Sequence, residues 1–153
     1  MRIGYVQFEP ALGDLEVNRR EVARLVREAP EADLLVLPEL ANSGYHFPNR
    51  DQAARAAEPA EGGAFVELLT TLARERGLVL VAGLCERAGK SLYNSAVVVG
   101  EEGLLGLYRK LHLFLDEQDL FTPGDLGLPL IEVEGVRRGM LIWVDSDSKL
   151  HWI

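Results

Sequence analysis

Two short, unbroken apolar runs constrain this chain more than any other feature: residues 34–37 (LLVL) and 78–84 (LVLVAGL). Each is too short for a buried helix and lacks the polar alternation of a half-solvated strand. They therefore read as strands covered on both faces, which is the habit of sheets that carry helices. The flanking sequence supplies those helices. Asp14 is placed to cap one whose apolar residues Leu15, Val22, Leu25, Val26 and Ala29 recur at three- and four-residue intervals, with Pro30 just past its end. A second, over 62–76, lines up Phe65, Leu68, Leu69, Leu72 and Ala73 and stops at Gly77, and a short one is expected over 52–57. Residues 2–8 (RIGYVQF) form a first strand that ends before Pro10.

Beyond residue 84 the pattern changes. Residues 91–99 and 104–110 flank Gly100-Glu101-Glu102-Gly103, a turn suited to a hairpin, and Lys110 ends the second arm. A long loop is expected over 111–125, then strands over 130–133 and 136–144. The order β-α-β-α-β followed by β alone predicts an α/β fold with a mixed sheet flanked by helices. After Val144 the tail DSDSKLHWI has neither a strand nor a helix period.

Composition narrows the partners. With 48% hydrophobic and 26% charged residues in 153, the chain has enough apolar material for one core. A net charge of -8 argues against nucleic acid and anionic membranes, and no run approaches the roughly 18 apolar residues of a membrane span. No signal peptide precedes the first strand, and the lone Cys85 excludes an internal disulfide, so a reducing, cytoplasmic setting is expected. Cys85 itself reads as a buried free thiol. His46, His112 and His151 lack metal-ligand spacing, and Gly100, Gly103 and Gly106 do not form a dinucleotide fingerprint, so neither a metal nor a cofactor is expected.

Strand ends are where α/β sheets gather their chemistry, and Glu39 and Lys110 both sit at such ends. Alone, each would read as a solvated charge. Their context is more specific. The segment Leu35-Val36-Leu37-Pro38-Glu39, followed by Gly44-Tyr45, resembles the block in which the nitrilase superfamily of carbon-nitrogen hydrolases delivers a catalytic glutamate. Tyr108-Arg109-Lys110-Leu111-His112-Leu113-Phe114 resembles that family's lysine block, and Glu117 with Phe121-Thr122-Pro123-Gly124 resembles the loop that follows it. Weaker matches, Val6-Gln7 and Tyr93-Asn94-Ser95-Ala96, resemble positions that shape the scaffold.

The resemblance runs to about Ile142 and implies the N-terminal part of an α-β-β-α sandwich, with helices on one face of a mixed sheet. It implies hydrolysis of a non-peptide amide or carbamoyl bond, with nitrile, the minority chemistry, ranked last. Glu39 would be the general base and Lys110 the oxyanion partner, with Glu117 holding Lys110 in place. Tyr45 would contact substrate, and Asn42 and the 116–121 loop would line the pocket. Homo-oligomers are common in the family. The expected nucleophile is missing: the family's Gly and three apolar residues lead into Cys-Phe-Asp-Trp, whereas here Gly139-Met140-Leu141-Ile142 leads into Trp143-Val144-Asp145-Ser146. An indole cannot attack an amide.

Residues 1–142 are therefore expected to be a partial carbon-nitrogen hydrolase domain and 143–153 a tail outside the family pattern, created by a reading-frame shift or a vector junction. An incomplete sandwich leaving ~1,000 Å² of sheet uncovered would forfeit about 25 kcal/mol of burial. The rival expectation is a non-catalytic binding domain that keeps the same pocket. A flavodoxin-like domain is disfavoured because no phosphate-binding turn follows residue 37.

Overall fold

The computed structural model describes residues 1–133 and 135–142. Five strands form one sheet in the order β1-β2-β3-β4-β5: β1 (Ile3–Tyr5), β2 (Leu34–Val36), β3 (Val79–Ala88), β4 (Ser91–Gly100) and β5 (Gly103–Arg109). The first three are parallel and the last two antiparallel, as the two connection types require. Helices α1 (Leu15–Glu28) and α3 (Ala64–Arg76) make the crossovers, while α2 (Arg50–Ala56) and the one-turn α4 (Glu117–Leu120) lie in connecting segments. A separate hairpin, β6 (Leu130–Val133) with β7 (Val136–Gly139), follows.

Local chemistry explains the helix ends. The Asp14 carboxylate accepts the Val17 N–H at 3.1 Å, and the Asn49 side chain accepts that of Gln52 at 3.0 Å. Gly63 offers α3 no side-chain cap, but the Glu58 carboxylate accepts the Phe65 N–H at 3.2 Å in its place. Gly77 closes α3 in the left-handed region with φ 61°, where a Cβ would be strained.

Alternation along the strands sorts the sheet into two faces. Leu35, Leu37, Leu80, Ala82, Leu84, Val97 and Val99 turn toward α1 and α3 and pack with Val22, Val26, Phe65, Leu69 and Leu72 in the main core. Fully burying each of these large side chains contributes about 1.5–3 kcal/mol. The opposite face is covered in part by β6, whose Ile131 packs on Val98. Gly106 makes that approach feasible, since a Cβ there would lie 2.2 Å from Ile131 Cδ1.

Three expectations change. Residues 34–37 are not covered on both faces: Val36 is 37% exposed, and it borders an apolar cavity of about 380 Å³ with Ile3, Leu34, Val81 and Ile131. The loop expected over 111–125 contains α4, a single turn too short to leave a periodic pattern. The last strand ends at Gly139, not at 144, and residues 140–142 run on without strand pairing.

Candidate active site

Glu39 follows β2 by three residues, and backbone bonds sew its turn to β3. Leu37 N–H donates to Val81, Gly83 N–H to Pro38, and Ala41 N–H to Gly83, at 2.8 to 3.0 Å. The turn itself pivots on Leu40, a buried residue held at φ 49°. Gly83 is required by this seam. A Cβ there would lie 2.2 Å from the Leu40 nitrogen and 2.5 Å from the Glu39 Cα.

The turn is secured from behind by a buried polar network that the sequence did not disclose. Asn42 is fully buried; its Oδ1 accepts the Cys85 N–H at 2.8 Å and its Nδ2 donates to Glu58 at 3.0 Å. Asn18 of α1 donates to the Asn42 carbonyl at 3.0 Å, and Arg19 pairs with Glu58 at 3.1 Å. Asn42 thus braces the turn, and the expectation that it lines the pocket is corrected.

Lys110 is fixed at the end of β5. Its N–H donates to the Asn94 carbonyl at 2.8 Å and its own carbonyl accepts the Gly124 N–H at 2.9 Å. Gly124 must be glycine for that return, because a Cβ would lie 2.0 Å from the Arg109 carbonyl oxygen. The Lys110 side chain is 1% exposed, so its charge must be met locally. Its Nζ lies 2.9 Å from Glu39 Oε1, 2.9 Å from Glu117 Oε2 and 3.1 Å from Glu117 Oε1. Glu117 is held in turn by the Phe114 N–H, which donates to Oε2 at 2.7 Å.

The three charged residues singled out from the sequence therefore converge, and their exposures differ in a useful way. Glu117 is 4% exposed, whereas Glu39 is 24% exposed. Glu39 borders an apolar cavity of about 240 Å³ with Val81, Ala96, Met140 and Ile142. Ile142, the last described residue, is buried there against Ala96 and Tyr108. Position 143, expected to stand where the nucleophile belongs, lies outside the described residues.

Tyr45 is half-buried and lies beside Glu117. Burial chiefly, then the Glu117 and Glu39 charges, push the phenol well above its usual range, so it stays a neutral donor. It also lines a second cavity of about 320 Å³ with Phe47, Phe114, Leu115, Asp116 and Glu117. Cys85 is fully buried, and burial pushes its thiol up to about 12. Such a thiol supplies no thiolate at neutral pH.

Asn94 is the member that sequence reading missed. It was assigned to the scaffold, yet its Nδ2 donates to Glu39 Oε1 at 2.6 Å and to Glu117 Oε1 at 2.8 Å. The available signal was an amide in a strand, β4, that runs on into the apolar residues Ala96, Val97, Val98 and Val99.

The chain has relatives among known proteins. The family model described as carbon-nitrogen hydrolase matches residues 2–152, including the segment 143–152 that lost the expected sequence pattern. A nitrilase of Pyrococcus abyssi is 39% identical over 95% of this chain and 56% of its own length. An (R)-stereoselective amidase of a Pseudomonas species is 38% identical over 96% of this chain and 53% of its own. A CN-hydrolase superfamily protein of Xanthomonas campestris, crystallised with an arsenic adduct in its active site, superposes with a TM-score of 0.78. It is 26% identical and aligns over 91% of this chain and 51% of its own. The chain spans about half the length of the relatives it matches. Converging Glu39, Lys110 and Glu117 on a mixed sheet, and a family match over nearly every residue, lead to one assignment: this chain belongs to the carbon-nitrogen hydrolase family.

Proposed function

We propose that this chain carries the base and oxyanion half of a hydrolase for non-peptide amide or carbamoyl bonds, with nitrile ranked last. Glu39 would accept the nucleophile's proton, return a proton to the departing amine, and then activate water for the second step. Lys110 would face the oxyanion, where removing a preorganised donor costs about 3 kcal/mol of barrier. Glu117 would hold Lys110 in register, and Tyr45 would touch the substrate. The observation that carries the reading is the 2.9 Å contact of Lys110 with Glu39 beside a cavity that Ile142 also lines.

The residue after Ile142 is Trp143, and it has no nucleophilic atom for acyl transfer. The chain as it stands is therefore proposed to be inactive, with a boundary between family-like and divergent sequence at 142/143. A second reading follows from the same substitution: an intact pocket without a nucleophile could serve a binding domain for a small amide.

One experiment separates these readings. Residues 1–142 are joined to the segment of the Pyrococcus abyssi relative that begins at its nucleophile, and ammonia release is followed over a panel of amides and carbamoyl compounds. Turnover by the chimera, abolished by E39Q and by K110M, with none from the 153-residue chain, is the expected result. A folded but inactive chimera rejects the hydrolase reading. Saturable amide binding by the 153-residue chain without turnover would favour the binding domain.

A further inference from the structure

Asn94 lies on β4, in the antiparallel part of the sheet, paired in register with Cys85 and fully buried. Its Nδ2 donates to the same two carboxylate oxygens that the Lys110 ammonium reaches, Oε1 of Glu39 and Oε1 of Glu117. Four groups thus close a ring in which donors and acceptors alternate. Two carboxylates share one cation, and the remaining donor is a neutral amide.

The orientation of that amide is settled by charge. An Asn side chain has two N–H donors and one carbonyl acceptor, and here both donors are committed. Reversal would set Oδ1 at 2.6 and 2.8 Å from two carboxylate oxygens. Among the described residues Oδ1 meets no protein donor, so the orientation comes from the carboxylates alone.

Counting acceptors assigns the roles. Glu117 has both oxygens engaged: Oε1 by Asn94 and Lys110, Oε2 by Lys110 and the Phe114 N–H. Glu39 has Oε1 engaged by Asn94 and Lys110. Among the described residues its Oε2 accepts no hydrogen bond, and Glu39 is the more exposed of the two carboxylates.

We propose that Asn94 is a positioning residue that tethers Oε1 of Glu39 into this ring and so presents Oε2 as the proton-accepting atom of the site. The proposal rests on the hydrolase reading for its catalytic meaning. In the first step the nucleophile's X–H bond breaks, its electron pair stays on X, and the proton forms an O–H bond at Oε2. That bond then breaks as the proton passes to the departing amine nitrogen. Lys110 keeps its three contacts throughout, because they go to Glu39 Oε1 and to the two oxygens of Glu117, none of them to Glu39 Oε2.

The bridge can be tested without turnover, in the 153-residue chain. In wild-type protein labelled with ¹⁵N, both side-chain amide protons of Asn94 are expected downfield of a free amide and slow to exchange. In E39Q the proton facing Glu39 is expected to move while the one facing Glu117 keeps its position. An amide that shifts and exchanges like a free one, or a Glu39-facing proton that E39Q leaves unmoved, overturns the proposal.

Asn94→Asp keeps the shape but sets a third carboxylate against the other two, and Asn94→Ala removes the donor without adding charge. Relative to wild type, the unfolding equilibrium of N94D is expected to worsen at least tenfold more at pH 8 than at pH 5, with a smaller pH effect for N94A. A pH-independent penalty shared by both variants would mean that Asn94 only fills space. Should N94D be unfolded at both pH values, the wild-type amide signals decide. Failure here would remove the bridge and leave the hydrolase reading to the chimera, whereas an inactive chimera would leave the bridge standing.

Discussion

Arg109 and Lys110 are neighbours in sequence, yet the two buried charge clusters they anchor are built on different plans. The Arg109 guanidinium donates from Nε and Nη2 to both oxygens of Glu86, at 2.9 and 2.6 Å, and from Nη1 to Asp125 at 2.8 Å. Ser95 adds a 2.5 Å hydrogen bond to Glu86, and the Tyr93 ring lies 4.0 Å from the guanidinium carbon. Every oxygen of Glu86 is taken, on strands of regular geometry. The hydrogen bonds that Arg109 donates to Glu86 raise its pKa further despite its burial, so this cation is permanent. The Lys110 cluster instead combines two carboxylates, one ammonium and an amide, and leaves one oxygen of Glu39 without a protein donor among the described residues. It also hangs on strained loops: the two non-glycine residues of positive φ among those described, Leu40 and Leu115, lie one residue after Glu39 and two before Glu117. The first cluster is fully paired; the second rests on turns that hold leucine in the left-handed region, at a conformational cost.

The largest effect should come from breaking the closed cluster. Arg109→Met would leave Glu86, 3% exposed, with only the Ser95 hydroxyl as a side-chain donor among the described residues, and such an orphaned buried charge costs about 3–5 kcal/mol. Urea unfolding at pH 7 measures this directly. A loss below about 1 kcal/mol would show that Arg109 behaves as a surface ion pair, and the contrast would collapse.

Lys110→Met should cost less, about 2–3 kcal/mol at neutral pH, because Asn94, the Phe114 N–H and solvent still serve the carboxylates. The sign of its pH dependence is the sharper test. Carboxylates deprived of their cation bind a proton more tightly when folded than when unfolded. The penalty is therefore absent below the unfolded carboxylate range near pH 4, and it grows as pH rises. Unfolding curves of wild type and K110M between pH 4 and 8 should diverge with rising pH. Parallel curves would mean that the ammonium is not what holds the two carboxylates together.

How much of this was legible in sequence depends on whether a feature leaves a pattern. Pro38-Glu39 after an apolar run and Lys110 at a hairpin end were legible because a strand end is a definite place in an α/β fold. Asp14 and Gly77 were legible because capping chemistry is local. Asn94 was not, because its role depends on β4 bringing it level with the ends of two other strands, a register no single segment encodes. The same holds for Asn42 and Glu58, whose partners lie on α1, α3 and β3. Val36 misled because apolar content records the tendency to be buried, while the cover over that face is partial. Leu40 and Leu115 gave no warning, since leucine is not the residue that marks a left-handed turn.

Leu115 turns that last point into the smallest and cleanest test. It is held at φ 45° and is 69% exposed, so it contributes little burial to offset its conformation. A left-handed L-residue costs about 1–2 kcal/mol, and glycine's extra freedom in the unfolded chain returns about half of that gain. Leu115→Gly should therefore stabilise the protein by about 0.5–1 kcal/mol, read as a higher urea midpoint at an unchanged slope. Leu40→Gly cannot serve as the same test, because Leu40 is fully buried and its lost packing would swamp the relief. If L115G is neutral or destabilising, the loop before Glu117 carries no strain. If it is stabilising, a residue that could have been glycine has been kept as leucine on the wall of the cavity beside Glu117, where the apolar side chain itself must matter.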